Sequence, residues 1–309
     1  MLHRRKIFQL AGASAGLSIL PRVLQAAPTV ASAAPFIYCL NMATIRGHKL
    51  GFVKELEVAS QAGFSAVEIW MDTLQGYIAQ GGSLKEAKKR LDGLGIKVEN
   101  CIGFAEWIVN DDAGRSKGLE QMKKEMDILA QIGCKRTAAP PKGGTDLPLL
   151  DLKRVAERYR AVLDLGDASG VAPHLELWGF SKNLGKASEC MYVALESGHP
   201  KAKVLLDIFH LYKGGSSIET LPLISKNAVE ILHMNDYTAE KPPATIVDAD
   251  RIYAGDGVAP IRRVLQILQS SERPLVISFE VFNKGYYSQD ALVVTKTALA
   301  KMKAVTKGV

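Results

Sequence analysis

The chain has 309 residues, 47% of them hydrophobic, and a formal net charge of +7 from 39 basic and 32 acidic side chains. Arg4, Arg5, Lys6 and Arg22 lie in a first stretch of 33 residues that has no acid, so residues 34–309 carry 35 bases against 32 acids, or +3. A balance so mild, with the bases scattered, is no nucleic-acid footprint, and no apolar run is long enough for stable membrane insertion. Small-molecule chemistry is the class that remains.

Residues 1–33 read as an export signal. Arg4-Arg5-Lys6-Ile7-Phe8-Gln9-Leu10 is a twin-arginine leader, Ala11 to Leu20 a short and mild apolar region, and Ala31-Ser32-Ala33 a small-residue cleavage site, with an earlier cut near Ala26 as the alternative. The expectation is passage through the twin-arginine translocase into the periplasm. The remaining 276 residues suit a single domain with one large core. Strand-like apolar runs fall near 35–40, 65–70, 96–102, 135–139, 171–176, 203–208, 229–234 and 274–280. Helical patterns lie between and after them at 50–62, 83–94, 118–132, 149–168, 186–197, 218–226, 261–269 and 289–305. Gly63, Gly95, Gly133 and Gly170 stand where helices should stop before the next strand. Eight βα units of roughly 34 residues predict a (β/α)8 TIM barrel. Cys39, Cys101, Cys134 and Cys190 form no CxxC pair, and Cys39 and Cys101 read as buried apolar residues.

Four candidate metal ligands end consecutive strands. Glu176 closes Val171-Ala-Pro-His-Leu-Glu176, Asp207 closes Lys203-Val-Leu-Leu-Asp207, His233 follows Val229-Glu-Ile-Leu, and Glu280 closes Pro274-Leu-Val-Ile-Ser-Phe-Glu280. Active sites of such barrels form at the C-terminal ends of the strands. Buried carboxylates need a charge to cancel theirs, so three acids and an imidazole converging there imply a divalent metal. Hard oxygen donors and one imidazole suit Mn²⁺, Mg²⁺, Co²⁺ or Zn²⁺.

His174-Leu-Glu-Leu-Trp178, Leu206-Asp-Ile-Phe-His210, His233-Met-Asn-Asp236 and Asp250-Arg-Ile-Tyr-Ala-Gly-Asp-Gly257 together resemble the xylose isomerase-like TIM barrels known as sugar phosphate isomerases/epimerases. The resemblance spans the whole of 34–309. It implies one divalent metal on Glu176, Asp207, His233 and Glu280, and a sugar or related keto substrate. It further implies that Glu176 and Glu280 exchange a substrate proton from opposite faces through an enediolate.

Other residues are candidate substrate contacts. His210 sits just past the sixth strand, and Arg251 lies in the long segment 236–259, whose length without evident structure argues for function. Glu68 on the second strand, Trp178 and Trp107 as apolar walls, and Lys142 after Ala138-Ala-Pro-Pro are further candidates, with Tyr38 and Asn41 for the pocket floor. The chain departs from ketose 3-epimerases, which carry another glutamate shortly after the fifth-strand ligand; here Leu177-Trp-Gly-Phe-Ser-Lys-Asn183 stands in its place. The extra histidines of the related endonuclease IV repair enzymes are also missing. A dehydratase on the same scaffold, resembling 3-dehydroshikimate or inosose dehydratases, and a non-catalytic periplasmic sugar-binding protein are the alternatives. A homo-oligomer is compatible with such a barrel, and the sequence sets no subunit number.

Overall fold

The computed structural model describes residues 35–309; the expected export signal and cleavage site lie outside the described residues. Eight strands are formed: β1 (Phe36–Asn41), β2 (Ala66–Trp70), β3 (Lys97–Ile102), β4 (Arg136–Ala139), β5 (Ala172–Glu176), β6 (Lys203–Asp207), β7 (Val229–Met234) and β8 (Leu275–Phe279). They pair in parallel in the order β3-β2-β1-β8-β7-β6-β5-β4. Between the two ends of that ladder, side chains take over from backbone pairing: Thr137 Oγ1 donates to Cys101 O (3.3 Å) and Arg136 Nη1 to Glu99 O (3.4 Å). The result is a nearly closed (β/α)8 barrel, as the alternation of the sequence predicts.

Strand periodicity decides what faces the barrel interior. Side chains two apart share a face, and beneath most polar residues at the top of the barrel sits an apolar one: Cys39 under Asn41, Ala66 under Glu68, Leu205 under Asp207, Ile231 under His233 and Val276 under Ser278. Cys39, Ala66, Leu205, Ile231 and Val276 pack with Ile102 and Ala138 into one buried interior cluster. Toward the opposite end, Arg136 bridges Glu99 (2.7 Å) and Glu230 (2.8 Å). All four cysteines are buried and free.

The glycine stops are found where expected: Gly63, Gly95, Gly133 and Gly170 all have positive φ. Elsewhere the helices depart from the sequence pattern for identifiable reasons. The helix Asp112–Gln131 starts six residues before the expected 118 because Asp111 caps it, accepting from Gly114 N. Gly118 is a contact residue inside that helix rather than its start, since a Cβ there would lie 2.6 Å from the Glu106 carbonyl. The helix expected over 218–226 is two 3-10 turns, Ile218–Leu223 and Lys226–Ala228, with Pro222 inside the first; proline has no N–H for an α-helical ladder. Four helices escaped the pattern: Ala43–Arg46 after β1, Met71–Ala79 directly after β2, the six-residue Ile208–Lys213 directly after β6, and Lys284–Tyr287 after β8.

One acid in the outer layer ties stability to pH. Glu55, on the helix Phe52–Gln61, is only 4% exposed. Burial, with Asp72 adding and Arg46 opposing, pushes its carboxyl up to about 7. A carboxyl whose folded value lies above its unfolded value costs stability as pH rises from the unfolded value, near 4.5, through the folded one. Glu55→Gln should therefore stabilise the protein at pH 8, by up to about 3 kcal/mol, and the gain should vanish by pH 4. Urea denaturation at the two pH values checks this, and an equal effect at both would refute it.

Candidate active site

The C-terminal ends of β2, β5, β6, β7 and β8 bring Glu68, Glu176, Asp207, His233 and Glu280 into one buried cluster. His233 stands at its centre. Its Nε2 lies 3.0 Å from Glu68 Oε1, and its Nδ1 faces Glu280 Oε2 at 3.2 Å, Asp207 Oδ2 at 3.6 Å and Glu176 Oε1 at 3.9 Å. Glu68 in turn accepts from Asn100 Nδ2 (2.6 Å), Ser278 Oγ (2.6 Å) and Asn41 Nδ2 (2.9 Å). Both of its oxygens are thus engaged, and the imidazole is fixed with Nε2–H donating and Nδ1 turned to the carboxylates. That is the carboxylate–histidine arrangement that orients a metal-ligating imidazole.

Arg251 is the strongest cation in the cluster. Nη1 donates to Asp207 Oδ2 (2.7 Å) and Glu280 Oε2 (2.8 Å), Nη2 to Asp248 Oδ1 (2.6 Å) and His210 Nε2 (3.1 Å), and Nε to Asp248 Oδ1 (3.1 Å). All five guanidinium donors are committed. Because arginine only donates, His210 Nε2 accepts, and Nδ1 of a neutral His210 carries the proton. That Nδ1 is buried without a partner. Burial, reinforced by Arg251 and opposed by Asp207, brings His210 down to about 4, so the ring is neutral at pH 7.

The remaining shifts differ from group to group. Burial raises Glu176 to about 8, with Glu280 and Glu68 adding and His233 opposing. Burial alone would depress His233, yet Glu280 and Glu68 hold it well above the ordinary imidazole range. Asp207 goes the other way: against burial, Arg251, His210 and His233 keep it well below the usual carboxylate range. Glu176 Oε2 and His233 Nδ1 are both buried without a hydrogen-bond partner. A proton on Nδ1 would satisfy the histidine only; a cation would satisfy both atoms. Ligand atoms of Asp207, His233 and Glu280 lie within 4.8 Å of one another, close enough to share one ion, with Glu176 beside them. The donor set fits a divalent metal.

A family model described as xylose isomerase-like TIM barrel matches residues 56–305. The chain belongs to that family. Relatives named inosose isomerase include one from Halalkalibacterium halodurans, 27% identical over 264 residues that cover 84% of this chain and 93% of the relative. Another, from Bacillus velezensis, is 26% identical over 272 residues, covering 86% and 96%. Among solved structures, the IolI protein with a bound zinc atom superposes with a TM-score of 0.80 at 22% identity, covering 87% of this chain and 98% of that one. The chain thus has the xylose isomerase-like fold and relatives named as isomerases.

Within this xylose isomerase-like barrel several expected substrate contacts take other places. Glu68 has no oxygen to spare for a substrate and serves to orient His233. Arg251 is a counter-charge to Asp207 and Glu280, with no donor left over. Trp107 is fully buried, donates from Nε1 to Pro140 O (2.8 Å) and packs on Tyr159, so it belongs to the core. Lys142 is exposed and has no hydrogen bond or ion pair to the cluster among the described residues. Tyr38 lies an odd number of residues from Asn41 and hence on the other face of β1, where its hydroxyl meets Thr306 Oγ1 (2.7 Å). Asn41 does reach the cluster, donating to both Glu68 and Glu280 at 2.9 Å. Trp178 is half-buried beside Glu176, where its side chain favours the ionised carboxylate.

Asn100, Ser278, Asn235 and Asp248 were not foreseen. Ser278 is legible from strand period alone, being two residues before Glu280. Asn235, which donates to Asp207 Oδ1 (3.2 Å), sits in the His233-Met-Asn235-Asp236 run. Asn100 and Asp248 carry no local signal.

The segment carrying Arg251 is organised by one carboxylate. Asp236 accepts from the backbone N–H groups of Tyr237 (2.8 Å), Gly255 (2.9 Å), Gly257 (3.0 Å) and Ala259 (2.8 Å). Gly257 admits no side chain, because a Cβ would fall 2.2 Å from Tyr237 O. Asp236→Ala should therefore loosen 237–259 while the barrel stays folded. Limited proteolysis should cut within that segment at least about tenfold faster than in wild type, as expected from losing two or more net hydrogen bonds. Unchanged cleavage would show that the loop holds without Asp236.

Proposed function

We propose that the protein is a divalent-metal-dependent isomerase or epimerase of a sugar or related keto compound, moving a proton at a carbon beside the carbonyl. The observation that carries the proposal is the pair of buried, unpartnered atoms, His233 Nδ1 and Glu176 Oε2, turned toward Asp207 and Glu280. Glu176, Asp207, His233 and Glu280 would hold the ion, and when bound it would polarise the substrate carbonyl and its neighbouring hydroxyl.

The protein's own groups supply the rest. Glu176 and Glu280 come from β5 and β8, with β6 and β7 between them, so they approach a substrate from different sides. Their environments differ: Glu280 accepts from Arg251 and Asn41, whereas Glu176 Oε2 accepts from nothing. Such a difference between two acids is what lets one release a proton while the other takes one. The free Nδ1–H of His210 supplies a donor for a substrate oxygen. Arg251, locked among the carboxylates, offers fixed positive charge as the enediolate develops.

Elemental analysis of the purified protein should find about one divalent metal per chain, and His233→Ala should lower occupancy sharply; equal occupancy in both would remove His233 from the site. A screen of keto sugars in D₂O with added Mn²⁺ should show deuterium entering substrate and product. At saturating metal, Glu176→Gln and Glu280→Gln should each lower turnover by roughly 10²- to 10⁴-fold. Near-wild-type rates in both remetallated variants would leave the glutamates as ligands only. A product lighter by one water would replace isomerisation by dehydration.

A further inference from the structure

Aromatic rings wall the mouth above the polar cluster. Trp70 ends β2, Phe104 follows β3, Trp178 and Phe180 follow β5, and Phe282 follows β8. Their centroids form a nearly continuous run: Trp70 to Phe104 5.2 Å, Phe104 to Trp178 6.2 Å, Trp178 to Phe180 5.3 Å and Trp70 to Phe282 6.1 Å. The wall is tied to the cluster below, since Trp70 Nε1 donates to Asn41 Oδ1 (3.0 Å). Four of these rings are half-buried. Phe180 is different: it is 42% exposed, packed against Trp178 on one side and edge-on to His210 at 5.4 Å on another.

The exposure of Phe180 is held in place by its loop. Trp178 N donates to Leu184 O (3.2 Å), Ser181 N to Trp178 O (2.8 Å) and Lys182 N to Thr145 O (2.9 Å). Asn183 clamps the facing loop through Nδ2 to Gly144 O (2.8 Å) and through Oδ1, which accepts from Leu150 N (2.8 Å). Gly179 seats this loop on the turn after β6, where a Cβ would lie 2.3 Å from His210 O and 2.7 Å from Gly214 N. A phenyl ring kept partly in water by so much backbone bonding presents a preformed stacking surface at the mouth.

The charges nearby decide what kind of group stacks there. Arg46 lies over Trp70 at 4.2 Å but is paired with Asp72, and Arg251 lies near Phe282 at 5.3 Å with every donor used. No lysine or arginine lies over Phe104, Trp178 or Phe180 among the described residues. The rings themselves therefore present an apolar face that suits an uncharged ring, and the loop's own Lys182 is turned to Asp146 O (3.2 Å).

We propose that Phe180, backed by Trp178, forms an outer subsite for an uncharged ring attached to the reacting keto sugar, so that the substrate is a ring-substituted compound of the glycoside kind rather than a sugar phosphate. This rests on the proposed isomerase function and narrows its substrate class. The probes are phenyl glucoside, glucose and glucose 6-phosphate, titrated calorimetrically into the metal-loaded full chain. Phenyl glucoside should bind about 3- to 10-fold tighter than glucose, the worth of one aromatic contact, and glucose 6-phosphate no tighter than glucose. Phe180→Ala should bring phenyl glucoside down to the level of glucose at wild-type metal content, and Phe180→Tyr should retain the preference. Tighter binding of the phosphate, no preference for the phenyl group, or a preference that survives Phe180→Ala would each overturn the subsite. Deuterium exchange into an unsubstituted ketose without any phenyl preference would uphold the isomerase and reject the subsite; a Phe180-dependent preference without exchange into any ketone would do the reverse.

Discussion

Glu68, Glu176, Asp207 and Glu280 are buried within one small volume at the top of the barrel, and the surrounding structure is arranged to make that tolerable. An uncompensated buried carboxylate costs several kcal/mol, so each oxygen needs a donor or a cation. Glu68 takes four donors, Asp207 and Glu280 share the Arg251 guanidinium, and His233 is held between them. Glu176 is left with one oxygen unserved, and burial raises its carboxyl to about 8. These groups depend on one another: freeing His233 from Glu68 would also turn its Nδ1 away from the carboxylates.

The barrel makes this cluster possible because it supplies directions as well as positions. Parallel strands in register present alternate side chains inward, so polar residues from most strand ends converge on the axis while in β1, β2, β6, β7 and β8 an apolar residue lies beneath them in the core. Arg251 cannot come from a strand, because a guanidinium aimed down onto the cluster has to enter from above. The segment 236–259 provides that entry, and the Asp236 carboxylate, by gathering four backbone N–H groups, gives it a defined shape. A loop held in this way can carry a functional cation at low entropic cost on binding.

The division between the polar cluster and the mouth matters for function. The carboxylates and His233 of the cluster stand at the strand ends of the barrel, and Arg251 reaches them from the 236–259 segment. The mouth is built from loop aromatics, above all Trp178 and Phe180, in the stretch where ketose 3-epimerases carry an additional glutamate.

The eight strands, the glycine stops and the strand-end residues Glu176, Asp207, His233 and Glu280 were legible in the sequence, because burial and backbone conformation leave local periodic marks. The helix expected over 218–226 failed because an apolar pattern cannot outweigh a proline inside it, and the start at 112 was hidden by glycines that serve packing. The roles of Glu68, Arg251, Trp107 and Tyr38 were not legible. Each residue type was consistent with substrate contact, and only the fold shows that Glu68 has its oxygens filled, that Arg251 has its donors spent, that Trp107 is inside the core and that Tyr38 faces outward. Sequence by itself determined which residues end strands, since that is a property of neighbours along the chain. Tertiary structure alone decided which of them have a free atom, because hydrogen-bond capacity is used up by partners as distant in sequence as Ser278 is from Glu68.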